Sequence, residues 1–210
     1  MSHGKKMKEF KVIECQESHA EGDRKYRILA INFLEPTLVE TISDIKIPEK
    51  SIVNYDGQNL IFEGKVLGKV TKEASGRDVS ISTDYDIKYT GGYSLDGKTI
   101  YLDEHFPRTM SIEGKDVNSS ISIGLHHELP EKWLSDEGFE YPYAHEIATG
   151  IEKEYVESLG ITWKGYCDEV DRNLRKVYRN QLKKSPPSLD LSPYLYCRDR
   201  EALKEIRESK

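Results

Sequence analysis

Two imidazoles and two carboxylates are packed into one short string, Leu125-His126-His127-Glu128-Leu129-Pro130-Glu131, and His145-Glu146, Glu152 and Glu154 follow a little further on. Imidazole nitrogen and carboxylate oxygen are the donors that divalent cations take, so this stretch holds the parts of a metal site. On a helix, residues four apart share a face. His127 and Glu131 then reach one cation, Glu128 points at a water beside it, and His145 on the following helix supplies the third ligand. Three protein ligands leave a coordination position open, as catalytic centres do. A cation held this way supplies Lewis acidity that brings the pKa of a water toward ~7, and Glu128 is placed to take the proton. Zinc suits the histidines, and the carboxylate at Glu131 widens the choice to another divalent transition metal such as manganese or iron.

Each of these residues also has a plainer reading. One of His126 and His127 can face the core with a satisfied hydrogen bond while the other is solvated, and either can be the one that faces the site. Glu128 and Glu131 fit a solvated helix face beside Lys132, and His145 fits a first-turn histidine. Glu152 and Glu154, flanked by Lys153 and Glu157, read as a charged outer face. Asp103, Glu104 and His105 are explained by turn chemistry at the end of a hairpin, and Tyr194 and Tyr196 by packing or docking.

Helices must position these groups. From Ser119 the apolar period becomes helical, with Ile121, Leu125, Leu129 and Trp133 on one face and Gly138 as the stop. Pro130 has no N–H for a helix interior, so it either kinks this helix or stands in the first turn of a new one. In both cases the four-residue spacing from His127 to Glu131 no longer guarantees a shared face. A second helix is predicted over 143–159, with Ile147, Ile151, Tyr155 and Leu159 at helical spacing, Pro142 in its first turn and Gly160 as its cap. A third is predicted over 164–184, striped by Val170, Leu174, Val177 and Tyr178 and ended by Ser185-Pro186-Pro187. Residues 189–196 read as extended chain wrapping across the domain, and 200–209 as a short amphipathic helix.

The first half of the chain alternates in the β period instead. Strands are expected at 10–13, 26–31, 38–42 and 79–82. One hairpin spans 51–70, turning through Asn54-Tyr55-Asp56-Gly57-Gln58-Asn59 and punctuated by Gly64 and Gly68. Another spans 89–102, turning at Asp96-Gly97. The fold class is therefore α+β, a β-rich amino-terminal half built as a small barrel or meander plus an edge hairpin, followed by three helices. Three parts are expected: a β-rich module at 1–85, a hairpin and helical domain at 86–185, and an extended tail with a short helix at 186–210.

Composition narrows the partners. With 32% charged and 37% hydrophobic residues the chain can bury a core and is not a disordered polymer. A formal charge of −6 provides no basic footprint, so nucleic acid is not the expected partner. There is no apolar run long enough to span a bilayer, and the stretch from Met1 to Phe10 is polar and lysine-rich, so neither a membrane segment nor a signal peptide is expected. Cys15, Cys167 and Cys197 are odd in number and lack CxxC spacing, which suits a reducing, cytoplasmic setting. Phosphate-cradling, dinucleotide-binding and nucleophile-elbow motifs are missing, and with them support for phosphoryl or acyl-enzyme chemistry.

The string His127-Glu128-Leu129-Pro130-Glu131, the upstream Gly92-Tyr93 and Ile100-Tyr101-Leu102-Asp103, and the downstream segment with His145 together resemble the zincin metallopeptidases, which carry HExxH on an active-site helix after a sheet edge strand. The resemblance covers about residues 86–165, and it departs from the family where Glu131 replaces the second histidine. It implies a zincin-like arrangement of the three helices, zinc held by His127, Glu131 and His145, and Glu128 as catalytic base. It further implies hydrolysis of a peptide or protein substrate bound as an added strand on the edge hairpin. The rival expectation is a non-catalytic scaffold or assembly protein that keeps this layout with a degenerate metal site or none. A compact β module, an altered motif and a wrapping tail are similar to bacteriophage-encoded proteins; in that case the partners are other proteins of an assembly, and the chain is virion-associated.

Overall fold

Alternating β-branched residues build six strands in the first part of the chain: β1 (Lys8–Ala20), β2 (Asp23–Asn32), β3 (Thr37–Ser43), β4 (Ile52–Tyr55), β5 (Asn59–Phe62) and β6 (Lys65–Ser75). In this computed structural model, which describes residues 6–20 and 22–210, they close into a barrel in the order β1-β2-β3-β6-β5-β4, with β4 pairing back onto β1. Residues 1–5 of the lysine-rich start lie outside the described residues. Closure sends one side chain of each alternating pair inward, so Phe10, Val12, Ile28, Ala30, Val39, Val53 and Leu60 share one core. Bending the strands round takes register shifts, found at Val12/Glu14, Glu40/Thr41 and Leu60/Ile61. Gly68 permits a close approach of β6 to β3: a methyl there would lie 2.5 Å from the Ile42 carbonyl oxygen. The turn expected within 54–59 narrows to the residues between β4 and β5, with Asp56 Oδ1 accepting from the N–H groups of Gln58 (2.8 Å) and Asn59 (2.7 Å).

The chain divides into two compact units, Met1–Gly76 with the barrel and Arg77–Lys210 with everything else. The second unit begins with a three-stranded sheet ordered β7 (Ser80–Tyr85), β9 (Thr99–Asp103), β8 (Gly91–Tyr93), in which β7 runs parallel and β8 antiparallel to β9. A hairpin absent from the sequence expectations follows, β10 (Thr109–Ile112) with β11 (Lys115–Asn118). Its turn residues, Glu113 and Gly114, both take positive φ (52° and 76°). Such a turn normally announces itself by Asn-Gly or Asp-Gly, and Glu-Gly gives no comparable signal.

Helical structure then takes over: a π-helical segment Ser120–Glu128 running directly into α1 (Leu129–Asp136), then α2 (Tyr141–Ser158), α3 (Trp163–Val177), α4 (Ser192–Tyr196) and α5 (Arg200–Glu208). Two boundaries differ from expectation. The third helix stops at Val177 rather than near 184 because the backbone is drawn off its helical path: the N–H groups of Lys183 and Lys184 donate to Asp86 Oδ2 at 2.7 and 3.1 Å. The tail around 189–196 is not extended throughout, since Ser192–Tyr196 forms α4 with Pro193 in its first turn. Among the described residues no helix is long and apolar enough to cross a membrane.

Candidate metal centre

The helical run that carries the histidines starts where Asn118 Oδ1 accepts from the N–H groups of Ser120 (2.9 Å) and Ile121 (3.2 Å), satisfying donors that have no partner inside the helix. Its bonds reach back five residues, as from the Leu129 N–H to the Gly124 carbonyl. Such wide turns are rare in proteins and concentrate at functional sites. Helical structure continues through Pro130 without a break, and the proline stands where the wide turns give way to the first turn of α1. His126 and His127 consequently part company. His126 is buried, with Nδ1 2.7 Å from the Ile121 carbonyl oxygen and its ring stacked on Tyr155. His127 turns the other way and lines a pocket.

Around that pocket the three sequence-predicted ligands converge. His127 Nε2 lies 3.3 Å from His145 Nδ1 and 3.5 Å from Glu131 Oε2, and His145 Nδ1 lies 2.7 Å from the same carboxylate oxygen. Donor atoms of all three fall within 4.8 Å of one another. Neighbours orient two of them. Tyr93 Oη donates to Glu131 Oε1 at 3.0 Å, leaving Oε2 for the cluster. Glu152 Oε2 sits 2.9 Å from His127 Nδ1, and Tyr166 Oη donates to Glu152 Oε1 at 2.6 Å. With Nδ1–H directed at Glu152, the Nε2 lone pair faces the cluster, the arrangement that ligating histidines adopt. His145 is the outer member, its side chain 48% exposed.

Glu128 occupies the same pocket, with Gly91 of β8 forming the surface against it: a methyl on Gly91 would lie 3.0 Å from Glu128 Oε1 and 2.8 Å from the Tyr101 carbonyl oxygen. Among the described residues its carboxylate meets no hydrogen-bond donor. Burial first, and then the charge of Glu131, pushes its pKa up to about 8 against the opposing charge of His127. Burial works against ionisation of Glu131 too, but hydrogen bonds and charge from His127 and His145 outweigh it and hold that carboxyl down to about 2. Burial likewise disfavours the His127 imidazolium, yet the charge of Glu152 and bonds to Glu131 and Glu152 raise its pKa well above the ordinary value. The site is therefore a nest of competing charges. Burial, reinforced by Glu131, keeps the Tyr93 hydroxyl neutral.

Glu152 is the residue that sequence reasoning placed on the outside and the structure places within, 7% exposed. It lies on the buried face of α2 with Ala144, Ala148, Ile151 and Val156, and a carboxylate in that stripe defeats any apolar count. Tyr141 and Asp190 also line the pocket and were not singled out, and Tyr93, named only as part of the edge hairpin, lines it too. The expected turn role of Asp103 holds: it accepts from the N–H groups of Ile87 and His105, both at 2.8 Å. Asp86, Asp103 and His105 form a second donor group within 4.8 Å of one another, but their carboxylates are engaged by backbone N–H groups that fasten loops together. Compared with protein-family models, with curated proteins and with solved structures, the chain finds no significant match.

Proposed function

We propose that this protein is a metal-dependent hydrolase with a zincin-like site, acting on peptide or related amide bonds. The observation that carries the proposal is the convergence of His127, His145 and Glu131 on one spot, with the Glu128 carboxylate lining the same pocket beside them. The donor set fits the cation: two imidazoles and one carboxylate make a three-ligand catalytic site, and the carboxylate behind His127 completes the support such ligands need. A bound zinc, or another divalent transition metal, would act as a Lewis acid toward a water and a carbonyl group.

The chain's own residues do the rest. Glu152 and Tyr166 fix the His127 tautomer, and Tyr93 fixes the Glu131 carboxylate. Glu128, which lines the same pocket, takes a proton from the attacking water and hands it to the leaving amine. Tyr141 lines the pocket beside His145 and offers a neutral hydroxyl donor, kept protonated by burial and by the charge of Glu131.

Metal content of protein purified without chelator tests the proposal. One equivalent of transition metal, lost in His127→Ala, is the expected result, and Glu128→Gln should keep the metal while turnover falls by about 10²–10⁴-fold. Metal-free protein that takes up no zinc refutes the hydrolase and leaves the scaffold reading in its place.

A further inference from the structure

The outer edge of β8, where an extended substrate would add as a strand, is already partly taken by the chain's own tail. The Leu95 N–H donates to the Ser188 carbonyl at 2.9 Å, the Asp190 N–H donates to the Tyr93 carbonyl at 2.9 Å, and Leu189 forms an antiparallel bridge with Ser94. Side chains hold the segment down. Tyr101 Oη and Ser188 Oγ are 2.7 Å apart, and Lys132 Nζ donates to Asp190 Oδ2 at 3.1 Å. Leu189 is buried over Gly92, where a methyl would lie 2.9 Å from its Cδ1. Past this clasp, Asp190, Pro193 and Tyr194 form one wall of the pocket that holds His127, Glu128 and Glu131.

Backbone groups of an antiparallel ladder point alternately to either side, so Gly91 faces the same outer edge as Tyr93. Within β8 (Gly91–Tyr93), the tail engages the Tyr93 carbonyl, and among the described residues it bonds neither the outward groups of Gly91 nor the Tyr93 N–H. Strand addition needs several consecutive open positions. The pocket itself is about 90 Å³, smaller than the roughly 150 Å³ cavity that admits benzene.

Resting on the metal-centre reading above, we infer that the 188–194 segment sets the substrate class of this site: a short substrate, a single acyl or amino-acid unit or the terminal residue of a peptide, entering past Gly91, and not the interior of an extended chain. The tail is a wall and not a lid. Lifting it would break the two backbone hydrogen bonds and the Lys132–Asp190 pair, and would uncover Leu189 and Tyr194, which are packed with Ile87 and Tyr101.

Calorimetric titration of the zinc-loaded full chain tests this with two probes, acetohydroxamate and an end-blocked phosphinic hexapeptide that presents its metal-binding oxygens in mid-chain. Acetohydroxamate should bind, and the hexapeptide should bind at least about tenfold more weakly. Asp190→Ala, which removes the partner of Lys132 and loosens the clasp, should narrow that difference. A hexapeptide bound as tightly as acetohydroxamate, or a preference untouched by Asp190→Ala, overturns the inference and leaves the metal centre standing. A chain that retains no zinc, or zinc-loaded protein that ignores acetohydroxamate, overturns the metal centre and the substrate class with it. Hydrogen exchange needs neither metal nor variant: the Leu95 and Asp190 amides should exchange as slowly as those of β9 (Thr99–Asp103), and exchange at loop rates would show an edge that opens and so refute the wall.

Discussion

Replacing Glu128 by glutamine should change how stability depends on pH, by an amount the site itself sets. In the unfolded chain this carboxyl titrates near its ordinary value of 4.5, whereas in the fold burial and the neighbouring Glu131 push it up to about 8. The folded state therefore holds the proton longer than the unfolded one. Below 4.5 the group is protonated in both and contributes nothing; between 4.5 and 8 stability falls as pH rises; above 8 the full cost is present. At 1.36 kcal/mol for each tenfold change in proton affinity, that cost is about 5 kcal/mol, with about 3 kcal/mol already present at pH 7. Glutamine keeps the shape and cannot ionise. Urea unfolding of metal-free wild type and Glu128→Gln, in chelator, should give similar stabilities near pH 5 and curves that diverge in favour of the variant toward pH 9. Zinc should reduce the divergence, because a cation beside the carboxylate favours its charged form. Parallel curves across this range would refute the buried, unpartnered placement of Glu128, and a divergence insensitive to zinc would separate Glu128 from the metal.

Three other substitutions probe different parts of the structure. Glu152→Gln removes the charge behind His127 without removing bulk, and zinc affinity by calorimetric competition should fall about 10–100-fold; unchanged affinity would mean that Glu152 does not support the ligand. Gly91→Ala places a methyl 2.8 Å from the Tyr101 carbonyl oxygen and 3.0 Å from Glu128 Oε1, and should cost about 1–3 kcal/mol, read as a lowered melting temperature. An unaltered melting temperature would show that β8 and Glu128 are not in contact. Leu60→Ala empties a fully buried position in the barrel and should cost about 2–5 kcal/mol in urea unfolding, whereas a loss under 1 kcal/mol would place Leu60 outside a packed core.

Local pattern alone determined a good deal of this protein. Alternation in the first part demanded a β-rich half, the stretch 54–59 and Asp96-Gly97 marked real turns, Pro142 marked the first turn of α2, and the His127, Glu131 and His145 donors that could hold a metal could be named from residue type and order. These are short-range matters, decided by backbone sterics and by which side of an element a residue occupies. The tertiary structure decided the rest. Whether His126 or His127 faced the pocket depended on a π-helical widening that no propensity announces. Glu152 became interior because His127 and Tyr166, distant in sequence, met its charge. Whether the β8 edge stayed open depended on Ser188–Asp190 returning to it from the far end of the chain. In each case the deciding energy belongs to a contact between residues far apart in sequence, and a periodicity read over one or two turns has no access to it.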